Sequence, residues 1–266
     1  MDKKSEMEKV AKVFDIYEFR KTAESIRCLS NDLYKNSKKV NFDKTFEQLQ
    51  ETLEEEFISR GTDPSFRRKL GSALISLMNA ATKKNLALVK KQVSDFEPSM
   101  QRIMNSYMVI GDIVESLTKN TQITNKQKYY GACFTYLLMV EGVFRELAEY
   151  ILMLDDIRIG HVRKFSDIET LDIYDLAKQI ESKSDISILT KGYSNSLRNA
   201  IAHADFRFNN ATGKMAFKDV YHGKEKLVGD LTLDEFGEYY LKIDDLYTLI
   251  SSIWMLGWLV NVYHDC

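Results

Sequence analysis

The sequence predicts an all-α protein: a multi-helix bundle with one small β-hairpin excursion and a helical N-terminal half. Three observations carry that expectation. The 266 residues include only 2 prolines and 12 glycines, too few turn formers for a chain of many strands. Apolar residues recur at helical spacing over most of the length. Strand-like alternation is confined to one stretch, residues 206–228. The balance of 44% hydrophobic and 29% charged residues is that of a soluble globular chain, long enough to bury one large core or two modest ones.

The elements follow in order. Residues 7–34 read as a helix on Val10, Val13, Phe14, Tyr17 and Phe19, and residues 45–59 as a second one stopped by Gly61. Asp63-Pro64 reads as an N-cap with proline at the first helical position, opening a helix through Leu70, Leu74, Leu77 and Met78 toward Phe96. Glu97-Pro98-Ser99 opens another through Ile103, Met108, Ile110 and Val114. The polar stretch 118–125 is the expected linker, separating a helical region of unassigned role (1–120) from a second domain (125–266). Residues 126–155 form a strongly apolar helix carrying Tyr129, Tyr130, Phe134, Leu137, Leu138 and Phe144. A shorter helix covers 170–182, and another begins near Thr190, where Ser194 or Asn195 is placed to cap a turn. Residues 206–208 and 214–220 pair as a hairpin, with a third short strand at 226–228. Thr232-Leu233-Asp234-Glu235 is a capping sequence for the final helix. The apolar run 246–263 is interrupted by Thr248, Ser251, Ser252 and Asn261 and lacks flanking basic residues. It reads as a helix buried on most sides rather than a membrane span. Its residues Leu246, Leu249, Ile250, Ile253, Trp254, Leu256, Trp258 and Leu259 cover too much circumference for one stripe, so part of that area is expected to face a second copy or the N-terminal half.

A net charge of −2 excludes a wholesale basic surface of the kind that coats duplex DNA, so any RNA contact must be local. Cys28, Cys133 and Cys266 are odd in number and without ligand spacing, and read as free thiols in a reducing compartment. The charged start, with no apolar leader segment, agrees with a cytoplasmic location. There is no glycine-rich phosphate loop, HExxH, CxxC or nucleophile elbow, and neither a metal nor an organic cofactor is expected.

The stretch that carries chemistry is Leu197-Arg198-Asn199-Ala200-Ile201-Ala202-His203-Ala204. On a helix, Leu197, Ala200, Ile201 and Ala204 share a narrow apolar arc and face a core. Arg198, Asn199 and His203 share the opposite arc, with only the methyl of Ala202 between them. A fixed cation, an amide and a group that titrates near neutrality then stand together on one open face. That set suits a phosphodiester, because Arg grips phosphate oxygens and His moves protons at physiological pH. The spacing by itself also fits an ordinary amphipathic helix with a surface arginine.

The whole string resembles the signature of the HEPN superfamily, an Arg followed by a polar residue and then, after a short variable spacing, a His. The likeness covers roughly residues 125–266. It implies a helical bundle and a metal-independent endoribonuclease of toxin or anti-phage defence type, with Arg198, Asn199 and His203 as catalytic residues. It also implies RNA as substrate, a homodimer whose two motifs meet in one composite cleft, and a neutralising antitoxin or defence-system partner. A catalytically inactive interaction or nucleotide-binding module is the alternative. Glu141 and Glu146 read on their own as solvent-facing carboxylates. The resemblance adds that an acidic residue of this helix can preset the arginine, and Glu141 is carried as the supporting residue. Arg145 reads as a surface charge. His161 lies in a basic cluster, 158–164, that reads as a solvated loop or an RNA-backbone contact. Lys83, Lys84, Lys90 and Lys91 read as the wet face of their helix, and His222 and His264 have no assigned role. Where some HEPN toxins carry a modifiable tyrosine two positions after the histidine, this chain has Asp205, a negative charge beside the proposed site.

Overall fold

Long apolar-faced segments with short connections leave the chain almost entirely helical. The structure, a computed structural model, describes residues 3–16, 19–36, 42–60, 63–161, 163–221 and 224–264. It divides into two compact units: Phe96–Tyr247, and the segments Met1–Asp95 and Thr248–Cys266 taken together.

In the unit built from the chain's two ends, α1 (Lys3–Ile16) and α2 (Arg20–Asn36) replace the single helix expected over 7–34. Phe14 and Phe19 are both buried and meet edge-on at 6.3 Å, and α1 packs against α2. Tyr17 and the side chain of Val13 lie outside the described residues. The buried carboxylate of Glu56, on α3 (Phe42–Arg60), accepts the Lys21 and Thr22 N–H groups at 2.8 Å and the Thr22 hydroxyl at 2.7 Å. It thereby satisfies donors that the first turn of α2 leaves open. Asp63 caps α4 (Pro64–Asp95) as its sequence predicts, Oδ1 accepting the Phe66 N–H at 2.9 Å. Asn85 interrupts α4 (φ −159°, ψ 88°), and its own side chain caps the resumed helix through the Leu88 N–H at 3.1 Å.

The other unit begins with α5 (Glu97–Lys119) and α6 (Asn125–Met139), the latter opened by a capping box between Thr124 and Gln127. The polar stretch 118–125, expected to be a domain linker, is thus a turn inside this unit, and α5 packs along α6. A π-helical turn, Val140–Phe144, joins α6 to α7 (Arg145–Ile159) where one continuous helix is expected. The approach of α5 is close enough to require glycine, since a Cβ on Gly142 would lie 2.8 Å from the Ser106 hydroxyl. The short α8 (Phe165–Glu169) is not anticipated by sequence pattern, whereas α9 (Ile173–Glu181) follows its Asp172 cap. A 3-10 turn at Ser187–Thr190 precedes α10 (Asn195–Ala202).

Strands β1 (Phe206–Asn209), β2 (Lys214–Tyr221) and β3 (Lys224–Leu231) form an antiparallel sheet in the order β1-β2-β3. One face of the sheet joins the core through rings: Phe217 lies 6.1 Å from Phe206 and stacks on Phe236 at 5.5 Å, and Phe236 meets Tyr136 at 5.5 Å. A reciprocal box between Thr232 and Glu235 opens α11 (Leu233–His264). The end of α11 belongs to the first unit, where the Trp254 indole N–H donates to the Val93 carbonyl at 2.9 Å. Leu246, Leu249, Ile250, Ile253 and Leu256 are buried and Trp254 half-buried, and from Thr248 the helix groups with Met1–Asp95, the N-terminal partner expected as the alternative to a second copy. The side chains of Trp258, Leu259 and His264, and His222 and Cys266 entirely, lie outside the described residues. Among the described residues no helix is long and apolar enough to cross a membrane. Cys28 and Cys133 are free thiols, and burial pushes the Cys133 thiol up to about 12.

On α7 the side chain of Glu149 is 4% exposed, with Arg145 Nε at 3.4 Å. Burial, helped by the nearby Glu146 carboxylate, pushes it up to about 7 from the ordinary 4.5. The folded state therefore keeps this proton at pH values where the unfolded chain has released it, and stability falls as pH rises from about 4.5 through about 7. Glu149→Gln should flatten that decline and raise the melting temperature at pH 8 by about 2–4 °C, the shift expected for about 1 kcal/mol. Thermal melts of both proteins across pH 5–8 check this. Parallel curves would show that Glu149 is ionised throughout.

Candidate active site on the Arg198–His203 helix

Both ends of α10 are fixed by side chains from elsewhere in its unit. At the start, Ser194 Oγ accepts the Leu197 N–H at 3.3 Å. The buried Tyr136 hydroxyl, reaching from α6, accepts the Ser194 N–H at 3.1 Å and donates to the Gly192 carbonyl at 3.2 Å. Gly192 is pressed onto α11, where a Cβ would lie 2.5 Å from Ile243 Cγ1 and 2.7 Å from the Ile243 backbone nitrogen. Leu197, Ala200 and Ile201 are buried, as the apolar arc predicts.

The C-terminus departs from the expectation. The helix stops at Ala202, so His203 is the C-cap (φ −93°, ψ 3°) and Ala204 lies beyond the end, exposed rather than in the core. Asp205 N–H donates to the Ala200 carbonyl at 2.7 Å and Ala204 N–H to the Ile201 carbonyl at 3.0 Å, the two bonds of a Schellman motif. That motif needs a left-handed residue. Here it is Ala204 (φ 57°), the one non-glycine with positive φ among the described residues. The His203 N–H donates to the Asn199 carbonyl at 2.9 Å, which keeps His203 on the last turn, above Asn199. Its imidazole is exposed, and no hydrogen bond among the described residues holds the ring.

Arg198 is held. Its Nε and Nη2 both approach Glu141 Oε1, at 2.6 Å and 2.5 Å, and its Nη1 donates to Asn199 Oδ1 at 3.1 Å. Two of the five guanidinium N–H groups donate hydrogen bonds in this way and Nη2 adds a close charge contact, so N–H groups are left for a ligand. The Arg198 and Glu141 side chains are 30% and 36% exposed, so the pair sits at the rim and not in the core. Glu141 belongs to the π-helical turn, a feature frequent at functional sites because the extra residue re-aims the side chains around it.

The structure thus brings Arg198, Asn199 and Glu141 into contact, with His203 on the turn above. The Asn199 amide oxygen holds the guanidinium and not the imidazole. Glu141 and Glu146 are not lone solvated carboxylates. Glu146 accepts Arg102 Nε and Nη2 at 2.9 Å each, and so belongs to a different pair. Arg145 is not simply a surface charge, since its Nη2 also clips the Glu169 carbonyl at 3.1 Å. The basic cluster 158–164 is largely spent inside its own unit. Arg158 pairs with Asp155 and Asp185, and Arg163 reaches Asp156 at 2.6 Å and Gln179 at 3.0 Å. His161 is exposed, with Nδ1 3.8 Å from Asp156. Tyr136, Ser194 and Tyr193 position the motif helix. Burial raises the Tyr193 hydroxyl well above its ordinary value, its ring stacks on Phe144 at 5.0 Å, and its hydroxyl lies 3.0 Å from Asn195 Oδ1. The only sequence signal for Tyr136 is a tyrosine amid apolar residues, whose hydroxyl must find a partner once buried.

A family profile described as HEPN pEK499 p136 matches residues 73–252, a span that includes Glu141, Arg198, Asn199 and His203. The chain belongs to the HEPN family. The match starts earlier than the resemblance read from the motif, inside α4. Membership points to a nuclease or other RNA-related function, or to nucleotide binding. No curated protein and no solved structure matches the chain.

The left-handed Ala204 gives a test of how the His203 end is held. A non-glycine residue there costs about 1–2 kcal/mol, part of which is offset by the larger unfolded-state entropy of glycine. Ala204→Gly should therefore stabilise the protein by about 0.5–1 kcal/mol. A chemical-denaturation midpoint that falls instead would show that the Cβ of Ala204 makes a contact worth more than the strain.

Proposed function

We propose that this HEPN protein is a metal-independent endoribonuclease acting as a toxin or antiviral defence effector in the cytoplasm. The observation that supports this most is the Arg198 guanidinium, oriented by Glu141 and Asn199 with N–H groups to spare, one turn from the exposed His203. RNA carries its own nucleophile. A base takes the proton of the 2′-hydroxyl, the 2′-oxygen attacks phosphorus, and the bond from phosphorus to the 5′-oxygen breaks. An acid protonates the leaving 5′-oxygen, giving a 2′,3′-cyclic phosphate and a 5′-hydroxyl. His203 serves one proton transfer. Arg198 holds the phosphate oxygens as charge builds on them, and Glu141 keeps the guanidinium in that orientation.

The second proton-transfer group is the reason to propose a homodimer, in which His203 of a second copy completes the cleft. Open apolar area exists for such an interface in this unit: Phe134 on α6, 66% exposed, lies about two turns before Glu141, and Val109 on α5 is 54% exposed. An antitoxin or defence-system partner is part of the same proposal. The alternative, a non-cutting interaction or nucleotide-binding module, draws on one observation: Glu141 already neutralises Arg198.

Purified protein incubated with total RNA in excess EDTA should cut, leaving cyclic-phosphate ends. His203→Ala should lower cutting by at least about 100-fold without lowering the melting temperature. Cleavage that survives His203→Ala, or that requires a divalent ion, sinks the mechanism, and expression that is harmless in both forms favours the binding module.

For the dimer, Phe134→Asp changes an exposed residue, so folding should be kept while sedimentation shifts to monomer and cleavage drops. A fully active monomer would rule the composite cleft out.

A further inference from the structure

Three residues after His203 the chain enters β1, an edge strand of the sheet. Its first side chain, Phe206, meets the ring of Tyr130 edge-on, centroids 5.7 Å apart and planes at 64°. Tyr130 is 40% exposed. The Lys126 ammonium lies over the Tyr130 ring, 5.6 Å from its centroid. Arg207, the next residue of the edge strand, is exposed. Behind this surface Phe206 is backed by the buried Phe217, which stacks on the buried Phe236, so the pair of rings is seated on the core and not on a loop.

We infer that Tyr130 and Phe206, with Lys126, form a base-stacking subsite for an unpaired nucleotide of single-stranded RNA beside the scissile phosphate. This rests on the ribonuclease reading of Arg198 and His203. The argument has three parts. An exposed ring, here Tyr130 braced by the half-buried Phe206, with cations beside it is what single-stranded nucleic acid uses, because every base has a π-face and every linkage a charge. The rings are close to the site: three residues of chain span at most about 10 Å, which sets Phe206 within a few nucleotides of His203. Fixed, core-backed rings favour unpaired over duplex RNA, whose bases are already stacked on one another. In a chain of net charge −2 such a local device also supplies the affinity that a general basic surface would otherwise give. The subsite therefore makes the substrate a single-stranded loop or tail.

The test uses the full chain with His203→Ala, so that RNA stays uncut, and two probes: a fluorescein-labelled oligouridylate and the same strand paired with oligoadenylate. In anisotropy titrations Tyr130→Ala should weaken binding of the single strand by about tenfold. Tyr130→Phe, which keeps the ring, should restore it, and duplex binding should change with neither. Lys126→Gln should lower the slope of log affinity against log salt by about 0.7, one phosphate contact on a single strand. Sedimentation is run on each variant. Equal single-strand affinity in Tyr130→Ala, or no binding of the single strand by the parent, overturns the subsite. A Tyr130→Ala protein that changes its oligomeric state also overturns it, assigning the rings to a protein contact. RNA cleavage by the protein with His203 intact is scored separately: cutting with no Tyr130 dependence removes the subsite alone, and ring-dependent binding without cutting removes the nuclease reading alone.

Discussion

The carboxylate of Glu141 and the guanidinium of Arg198 link the two parts of the fold that make the site, the π-helical turn after α6 and the short α10. Helix α10 has only two turns and would be marginal alone. It keeps its place through a buried apolar face, a tyrosine hydroxyl at its start, a Schellman motif at its end and this ion pair across its outer side. The pair is partly exposed, so its contribution to stability is small, about 1 kcal/mol or less. Its larger effect is orientational. A donor on the carboxylate, a second on Asn199 and the close approach of Nη2 to the same carboxylate oxygen leave the guanidinium little rotational freedom.

The same economy holds at the two ends of α10. Tyr136 is wholly buried and spends its hydroxyl on the backbone of the turn before the helix, so the position of Arg198 is set from the core of the unit. At the other end an alanine occupies the left-handed position where glycine would be unstrained, immediately after His203. Strain of this kind persists only where the surroundings over-determine it. Here the surroundings are the two Schellman bonds and the bond from Lys218 N–H to the Asp205 carbonyl at 2.9 Å, which ties the end of the helix into β2.

Much of this was legible in the residues. The capping box at Thr232, the Asp63-Pro64 start and the alternation in β1 and β2 are local signals that tertiary packing did not override. The polar arc was legible for the same reason, since it depends only on helical spacing. Three things were not. The division of the units is set by which helices pack together, and a polar turn such as 118–125 looks alike within a unit or between two. The π-helical turn depends on one inserted residue and on the close approach of α5 to Gly142, neither of which alters the hydrophobic pattern. The partners of the charged residues are also a matter of tertiary geometry. Glu141 and Glu146 lie five residues apart amid similar neighbours, yet one meets Arg198 and the other Arg102.

The distribution of charge then narrows what an RNA strand would meet. The basic residues that stand out in the sequence near His161 are matched by the buried Asp155 and Asp156, so Arg158 and Arg163 act within the unit and offer little net field. Around α10 the balance is also close: Glu141 offsets Arg198, and Asp205 adds a negative charge two residues after His203. A polyanion held by charge alone would find this region weakly attractive. RNA bound here would draw on directed hydrogen bonds from the Arg198 N–H groups left unengaged and on contacts that carry no charge, such as the exposed Tyr130 ring. Such contacts depend on the shape and flexibility of the strand more than on its charge density. Under the proposed ribonuclease function, a site of this composition would select unpaired RNA over duplex and lose less affinity to added salt than a basic groove would.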